Sequence, residues 1–371
     1  MAKFSAHLRR VVFGLLLVLV LEYLVLPQLA GARHSLHLIG GIKFRYVFLG
    51  IALEAASIVG YAQLTRSILP RATTPSLWTV VRIQLSTLAV SHVVPGGAAA
   101  GGGLGYRLLT TQGVEGPDAG FALATQSIGS AVVLNVLLWL GLIISIPLRG
   151  YNPLYLTAAI IGLLVIGAFS LAVLALTRGE AHAARFLRAV AQRVPFLDEE
   201  KLHGLVHRTA ARLRAIGSDR SLLLRLIGWA SANWAFDAAS LWVFLFAFGY
   251  HTGIDALLVS YGLANVLAAI PVTPGGLGVV EAVLTASLVG FGATHGQAVL
   301  GVIAWRLVNF WLPIPLGGAA YLSLHLEPKG RRAAELRRVA ERAAREAEDL
   351  KTWSEKHAVK LPLPHPHDKA E

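Results

Sequence analysis

The sequence predicts an all-α polytopic membrane protein, with about six full spanning helices and two re-entrant hairpins that form an inverted repeat. Composition is the first reason, because 55% of the residues are hydrophobic and 15% are charged, with a mean hydropathy of +0.61. The second is that apolar residues form blocks of about 20, the length that crosses a bilayer. The third is that two blocks are interrupted by Pro-Gly-Gly. These features argue against a soluble enzyme or a disordered chain.

The predicted helices follow one another as apolar runs, and the first run has two interpretations. The runs cover residues 11–29, 46–64, 77–94, 119–146, 154–176, 226–248, 256–271, 279–289 and 299–324. The first is either a spanning helix or a signal peptide, because Lys3, Arg9 and Arg10 precede it and small residues at 30–32 follow it. Residues 1–326 form the predicted membrane domain, and residues 327–371 form a charged helical tail with a disordered end.

Two Pro-Gly-Gly motifs break the predicted helices. The motif Pro95-Gly96-Gly97 ends one run, and Pro274-Gly275-Gly276, followed by Gly278, separates two others. Proline removes a backbone donor and glycine frees the backbone, so a helix stops at such a motif. Broken backbone at membrane depth survives only inside protein or against water, which favours a re-entrant hairpin over an ordinary loop.

Charge supports the hairpins through the positive-inside rule. Net charge is +12, from 33 basic and 21 acidic residues, and the loop at 178–225 holds ten Lys/Arg against five Asp/Glu. If each broken segment crossed the membrane once, this basic loop would lie outside. With two hairpins, the N-terminus, the loop and the C-terminus all lie on the cytoplasmic side, as the rule requires.

The spacing of the breaks predicts an internal repeat. Pro95 lies 49 residues after Tyr46, which opens one apolar run, and Pro274 lies 48 residues after Leu226, which opens another. A unit of helix, hairpin and helix therefore occurs twice, in opposite orientations. Inverted repeats of broken helices are common in secondary transporters, whose substrate sites lie where the half-helices meet.

Charged residues within the apolar runs are the candidate site residues, because charge in a membrane is costly and is usually functional. Glu281 follows the second break, Arg306 lies within the last run, Arg107 follows the first break, and Asp237 and Glu54 lie in the helices that open the units. Free N–H groups at a half-helix start and arginine forks suit a phosphate. The alternatives are that Glu281 is a helix-terminal acid, that Arg306 pairs with it for structure alone, and that Arg107 snorkels to the headgroups.

The second motif resembles the signature of the lysylphosphatidylglycerol synthase transmembrane-region family. The similarity lies in residues 272–281, which end at Glu281, and in Trp305-Arg306-Leu307 downstream; a looser first motif runs from Ser91 to Leu109. Where members of the family often carry an acid after the first break, this chain has alanines at 98–100. The resemblance implies the lipid-flippase portion of bacterial multiple-peptide-resistance factors. In the family, lysyl transfer belongs to a soluble acyltransferase domain that follows the membrane region. The resemblance does not extend to that reaction, since 45 residues follow the membrane region in this sequence.

The predicted function is the movement or handling of an anionic phospholipid or lipid-linked substrate by a flippase or scramblase. The alternatives are a small anionic-solute or proton-coupled transporter, and a non-catalytic partner of a glycosyl- or acyltransferase. The predicted partners are the membrane lipid and the anionic inner-leaflet surface, and the tail helix offers contact with a second copy or a partner enzyme. Neither nucleic acid nor a cofactor or metal is expected, since the chain lacks cysteine and nucleotide-binding motifs.

Overall fold

The protein is described here from a computed structural model. The structure describes residues 44–94, 97–149, 216–268 and 273–326, together with isolated helical positions between 155 and 167 and at 341, 345 and 348. The predictions for the first run, for most of the 154–176 run and the basic loop, and for the charged tail lie outside these residues, as do Pro95 and Gly96.

The described residues are helical and contain no strand, in agreement with the predicted class. In chain order the helices are α1 (Phe44–Ile68), α2 (Leu77–Val93), α3 (Gly97–Thr111), α4 (Gly116–Arg149), α5 (Arg220–Ala247), α6 (Ile254–Ala268), α7 (Val279–Gly290), α8 (His295–Arg306) and α9 (Pro313–Leu326). Short 3-10 turns occur at Arg71–Thr73 and Pro274–Gly276, and a π-helical turn at Leu307–Trp311 joins α8 to α9.

Three continuous helical segments are long and apolar enough to cross a membrane, by length and composition. They are Phe44–Ile68, Gly116–Leu148 and His295–Leu326. The segments Ile254–Ala268 and Pro274–Gly290 are apolar but shorter. The six spans and the re-entrant course of the broken segments therefore stay predictions.

Each predicted break separates two short helices that pack against each other. Helix α2 packs against α3 across the first break, and α6 packs against α7 across the second. At roughly 1.5 Å per residue, helices of 17, 15, 15 and 12 residues are about 18–26 Å long. These lengths are below the hydrocarbon thickness of about 30 Å.

The two repeat units, α1–α4 and α5–α9, pack reciprocally, in that corresponding helices make corresponding contacts with the other half. Helix α1, which opens the first half, packs along α5, which opens the second. Helix α2 packs on α9 of the other half, and α6 packs on α4. Small residues permit the close approach of membrane helices. A Cβ on Gly317 of α9 would collide with the carbonyl oxygen of Leu85 in α2, and a Cβ on Gly262 of α6 would lie 2.9 Å from Cβ of Leu138 in α4.

Candidate functional site

The second break is built on glycines with positive φ. Gly275, Gly276 and Gly278 have φ values of 56°, 67° and 84°. These values are in the region that L side chains rarely adopt. A Cβ on Gly275 would also lie 2.5 Å from the Phe310 ring and 3.0 Å from His92. The Pro-Gly-Gly-Leu-Gly sequence thus forms a sharp turn that is closely covered by aromatic rings.

Glu281 and Arg306 hold this turn in place. The Gly278 N–H donates to Glu281 Oε2 at 2.6 Å, which caps the start of α7, where an acid is favoured by the helix dipole. Arg306 Nε donates to Glu281 Oε1 at 2.6 Å, and Arg306 Nη2 donates to the Gly275 carbonyl at 3.3 Å. Both side chains are buried. Arg306 Nη1 donates no hydrogen bond within the described part of the chain.

The end of α2 meets the second break at Phe310, in the π-helical turn. The Arg306 guanidinium carbon lies 4.4 Å from the centre of the Phe310 ring. His92, three residues before Pro95, stacks on the same ring with centroids 4.2 Å apart. His92 Nδ1 also hydrogen-bonds with the Phe310 carbonyl at 3.0 Å. The end of α2 is therefore fixed to the second break.

A central cavity of about 250 Å³ lies beside this junction. Its lining comes from both halves and combines charged and polar side chains with aromatic rings. The lining residues are Glu54, Ser57, Ile58, Tyr61, Gln84, Leu88, His92, Ser130, Asn233, Trp234, Asp237, Asn265, Ala268, Gly275, Val280, Arg306 and Asn309. At about 30 Å³ per molecule in the liquid, this volume holds about eight waters or a small polar group.

Two buried carboxyl groups form part of the cavity wall. Asp237 accepts hydrogen bonds from Tyr261 Oη at 2.7 Å and from Trp305 Nε1 at 2.8 Å. Asn309 Nδ2 donates to Asp237 Oδ1 and to Glu54 Oε1, both at 3.1 Å. One asparagine amide therefore joins an acid of α1 to an acid of α5.

An apolar groove of about 600 Å³ lies between α7 and α8. Most of its lining is aliphatic or small. The lining residues are Gly278, Glu281, Ala282, Thr285, Ala286, Val289, His295, Val299, Val302 and Ile303. Glu281 lies where α7 begins and pairs with Arg306, which lines the central cavity. The ion pair thus separates a polar cavity from an apolar groove.

Comparison of the sequence with models of known protein families identifies the family to which these breaks and charges belong. Residues 1–317 match the model of the family described as "Lysylphosphatidylglycerol synthase TM region". The chain belongs to this family. As a lysylphosphatidylglycerol synthase TM-region protein, it is a multi-pass membrane protein, and the resemblance seen in residues 272–281 and in Trp305-Arg306-Leu307 is confirmed.

Relatives of this family member are also membrane proteins. A UPF0104 membrane protein of Methanothermobacter thermautotrophicus is 22% identical over 293 residues, which cover 74% of this chain and 84% of the relative. A shorter match to a UPF0104 membrane protein of that organism is 26% identical over 142 residues, 35% of this chain and 41% of the relative. Inner membrane protein YbhN of Escherichia coli is 33% identical over 105 residues, 28% of this chain and 32% of YbhN.

The structure brings together the predicted site residues that follow the second break and places Arg107 apart from them, while Pro95 and Gly96 lie outside the described residues. Glu281, Arg306 and the glycines of the second break form the junction, and Asp237 lies on the cavity wall. Gly97 begins α3, where a Cβ would collide with the Ser91 carbonyl oxygen. Arg107 is exposed and lines a separate pocket with Tyr321 and His325.

Tyr261 and Asn309 complete an acid cluster around Glu54 and Asp237, and neither is among the predicted site residues. Tyr261 lies in an apolar stretch of α6 and reads as an ordinary core residue, yet its hydroxyl donates to Asp237. Asn309 follows Arg306 by three residues, a spacing that places both on one helix face. That spacing is the signal by which Asn309 is recognisable as a companion of Arg306.

Proposed function

We propose that this protein moves an anionic phospholipid or lipid-linked headgroup between the two leaflets of a bacterial cytoplasmic membrane, as a flippase or scramblase. The observation that carries the proposal is the Arg306–Glu281 pair at the boundary between a polar cavity and an apolar groove. A substrate with an anionic head and an acyl chain matches both surfaces, whereas a small solute matches only the cavity.

The arginine supplies the chemistry for the headgroup. Arg306 uses Nε and Nη2 to hold the break, and its Nη1 is left for another acceptor. A guanidinium is always charged and its fork suits phosphate oxygens. We infer that a phosphate oxygen accepts from Nη1 within the central cavity while the acyl chain lies in the apolar groove.

The opposed breaks supply the proposed route. The reciprocal packing of the halves supports an inverted repeat, in which one hairpin enters the membrane from each side. The hairpins meet at His92, Phe310 and Gly275, so a rearrangement of this contact opens the cavity toward one leaflet or the other. In this topology the N-terminus, the basic loop at 178–225 and the C-terminus are cytoplasmic.

A small-solute transporter is the second candidate, and the polar lining of the central cavity favours it. The two candidates make different predictions in liposomes that contain the purified full-length protein. A lipid transporter moves a headgroup-labelled anionic phospholipid from the inner to the outer leaflet faster than empty liposomes do. A solute transporter releases trapped inorganic phosphate or a small carboxylate and leaves the labelled lipid in place. Labelled lipid that moves no faster than in empty liposomes, across a panel of anionic lipids, overturns the proposal.

A pair of variants tests the groove in the same assay. Phenylalanine at Ala286 fills the apolar groove, so A286F slows lipid movement by about tenfold or more if an acyl chain must enter, equivalent to a barrier of about 1.4 kcal/mol. Ala319 is exposed on α9 and does not line the groove. A319F is therefore the matched control and keeps the wild-type rate.

A further inference from the structure

We propose that Glu54 and Asp237 form a proton-binding site that couples movement of the anionic headgroup to a proton gradient, an inference that rests on the proposed function. The site is the pair of carboxyl groups joined by Asn309 on the wall of the central cavity. The Arg306–Glu281 pair does not depend on these two acids. Its hydrogen bonds join the two side chains to each other and to the backbone of Gly275 and Gly278.

The geometry of the pair leaves one oxygen without a donor. Glu54 is 5% exposed and Asp237 is 6% exposed. Asn309 Nδ2 lies 3.1 Å from one oxygen of each, so the two carboxyl groups are held close together. Glu54 Oε2 is fully buried and has no hydrogen-bond partner among the described residues. Two ionised carboxylates only accept hydrogen bonds and repel each other, whereas a proton on one supplies an O–H donor to the other.

The arrangement fits a proton better than a metal ion. Asp237 Oδ1 already accepts from Trp305 and Asn309, and its Oδ2 accepts from Tyr261. The N–H and O–H donors that point at these oxygens would repel a cation, and ions such as Mg²⁺ or Ca²⁺ take about six or more oxygen ligands. Within the described residues, no group of three or more His, Cys, Asp or Glu residues is placed to hold a metal.

The surrounding charges also favour a proton. The charged and titratable groups near the pair are Tyr61 of α1, His92 of α2, Tyr261 of α6, and Arg306 and Glu281 of α8 and α7; α4 contributes the neutral Ser130. Arg306 is already matched by Glu281. With both Glu54 and Asp237 ionised, two negative charges would be unmatched beside the cavity that an anionic headgroup enters.

This electrostatic arrangement sets the direction of coupling. Protonation of the pair removes one negative charge, so a proton and an anionic headgroup each favour binding of the other, as linkage requires. In the proposed step a proton from water in the cavity bonds to Glu54 Oε2, and the new O–H donates to the Asp237 carboxylate. Release to water on the opposite side breaks the same O–H bond. No bond of the lipid forms or breaks, and proton and lipid move in the same direction.

Infrared difference spectroscopy on the full-length protein tests the proton site without reference to transport. Spectra taken between acidic and alkaline buffer should contain the carbonyl stretch of a protonated carboxyl. The band should be lost in E54Q and in D237N, each with its melting temperature measured as a check of folding. The matched control is D255N, since Asp255 is a buried acid of α6 near Ser145 and outside the cavity lining. A wild-type band that persists in both E54Q and D237N overturns the proton site.

A pH gradient across the same liposomes tests the coupling. With one proton per lipid, a gradient of one pH unit sustains up to about a tenfold excess of labelled anionic lipid in the leaflet toward which protons flow. D255N should retain this excess, and E54Q should bring the ratio to about one. An equal excess in E54Q, or an excess in the opposite leaflet, overturns the coupling. If the wild type moves no lipid at all, the proposed function fails and the coupling with it, while the infrared band still decides the proton site.

Discussion

Arg306 and Glu281 are 25 residues apart in sequence, and their side chains meet through Nε and Oε1 at 2.6 Å. Through the same two side chains, the end of α8 is joined to the start of α7 and to the Gly275 carbonyl. The pair therefore holds the second break as well as lining the proposed route. Structural and transport roles are separable by experiment.

A double-mutant cycle on this pair measures its structural part. R306A leaves the buried Glu281 carboxylate without its cation, and loss of one partner of a buried pair costs about 3–5 kcal/mol. E281A likewise leaves the buried Arg306 guanidinium without its anion. R306A/E281A removes both charges, so we expect it to lose less stability than the sum of the single variants by at least about 1 kcal/mol. Unfolding in detergent measures these differences, and additive losses would contradict the role assigned to the pair.

Substitution of Gly275 tests the geometry of the second break. The positive φ and the nearby Phe310 and His92 rings leave no room for a Cβ, so G275A should destabilise the protein by about 1–3 kcal/mol. Gly102 of α3 has open space where a Cβ would stand and a negative φ. G102A is the control and should be neutral or slightly stabilising. A melting temperature for G275A equal to that of the wild type would rule out this description of the turn.

Two adjacent glycines of α9 test the packing between the halves. A Cβ on Gly317 collides with the Leu85 carbonyl of α2, whereas a Cβ on Gly318 meets nothing within 4 Å. G317A should therefore cost about 1–3 kcal/mol through overpacking, and G318A should be neutral or stabilise by up to about 1 kcal/mol. The order of the two melting temperatures is the readout. If G318A melts lower than G317A, α9 does not pack on α2 through this face.

How far the sequence predicts this molecule depends on the kind of signal. The boundaries of α2 and α7 follow from apolar runs and Pro-Gly-Gly, because these features act locally on the backbone. The pairing of Glu281 with Arg306 is also predictable, because an unpaired charge in an apolar helix is costly and is usually placed next to an opposite charge. The position of Arg107 away from the junction is not, because snorkelling and site membership give the same sequence pattern. Tyr261 is missed because a buried hydroxyl and a core ring look alike until the partner, Asp237, is known.

A pair of tyrosines tests whether the acid cluster contributes to transport. Y261F removes the donor to Asp237 at 2.7 Å, and Y250F removes a donor to the Phe291 carbonyl at 3.0 Å. Each variant should lose about 1–2 kcal/mol of stability, because each loses one phenolic hydrogen bond. Lipid movement should fall only in Y261F, since Tyr250 does not line the central cavity. Equal transport rates in the two variants would separate the cluster from the transport route.

The positions of the two ends of a bound lipid test the proposed route most directly. An anionic phospholipid with a photoactivatable group on the head should label residues of the central cavity, His92 and Trp234 among them. The same lipid with the group on an acyl chain should label Ala286 and Val289 in the apolar groove. Mass spectrometry of the cross-linked peptides reads both positions. Head and acyl probes that label the same outward helix faces, and neither the cavity nor the groove, would contradict the route.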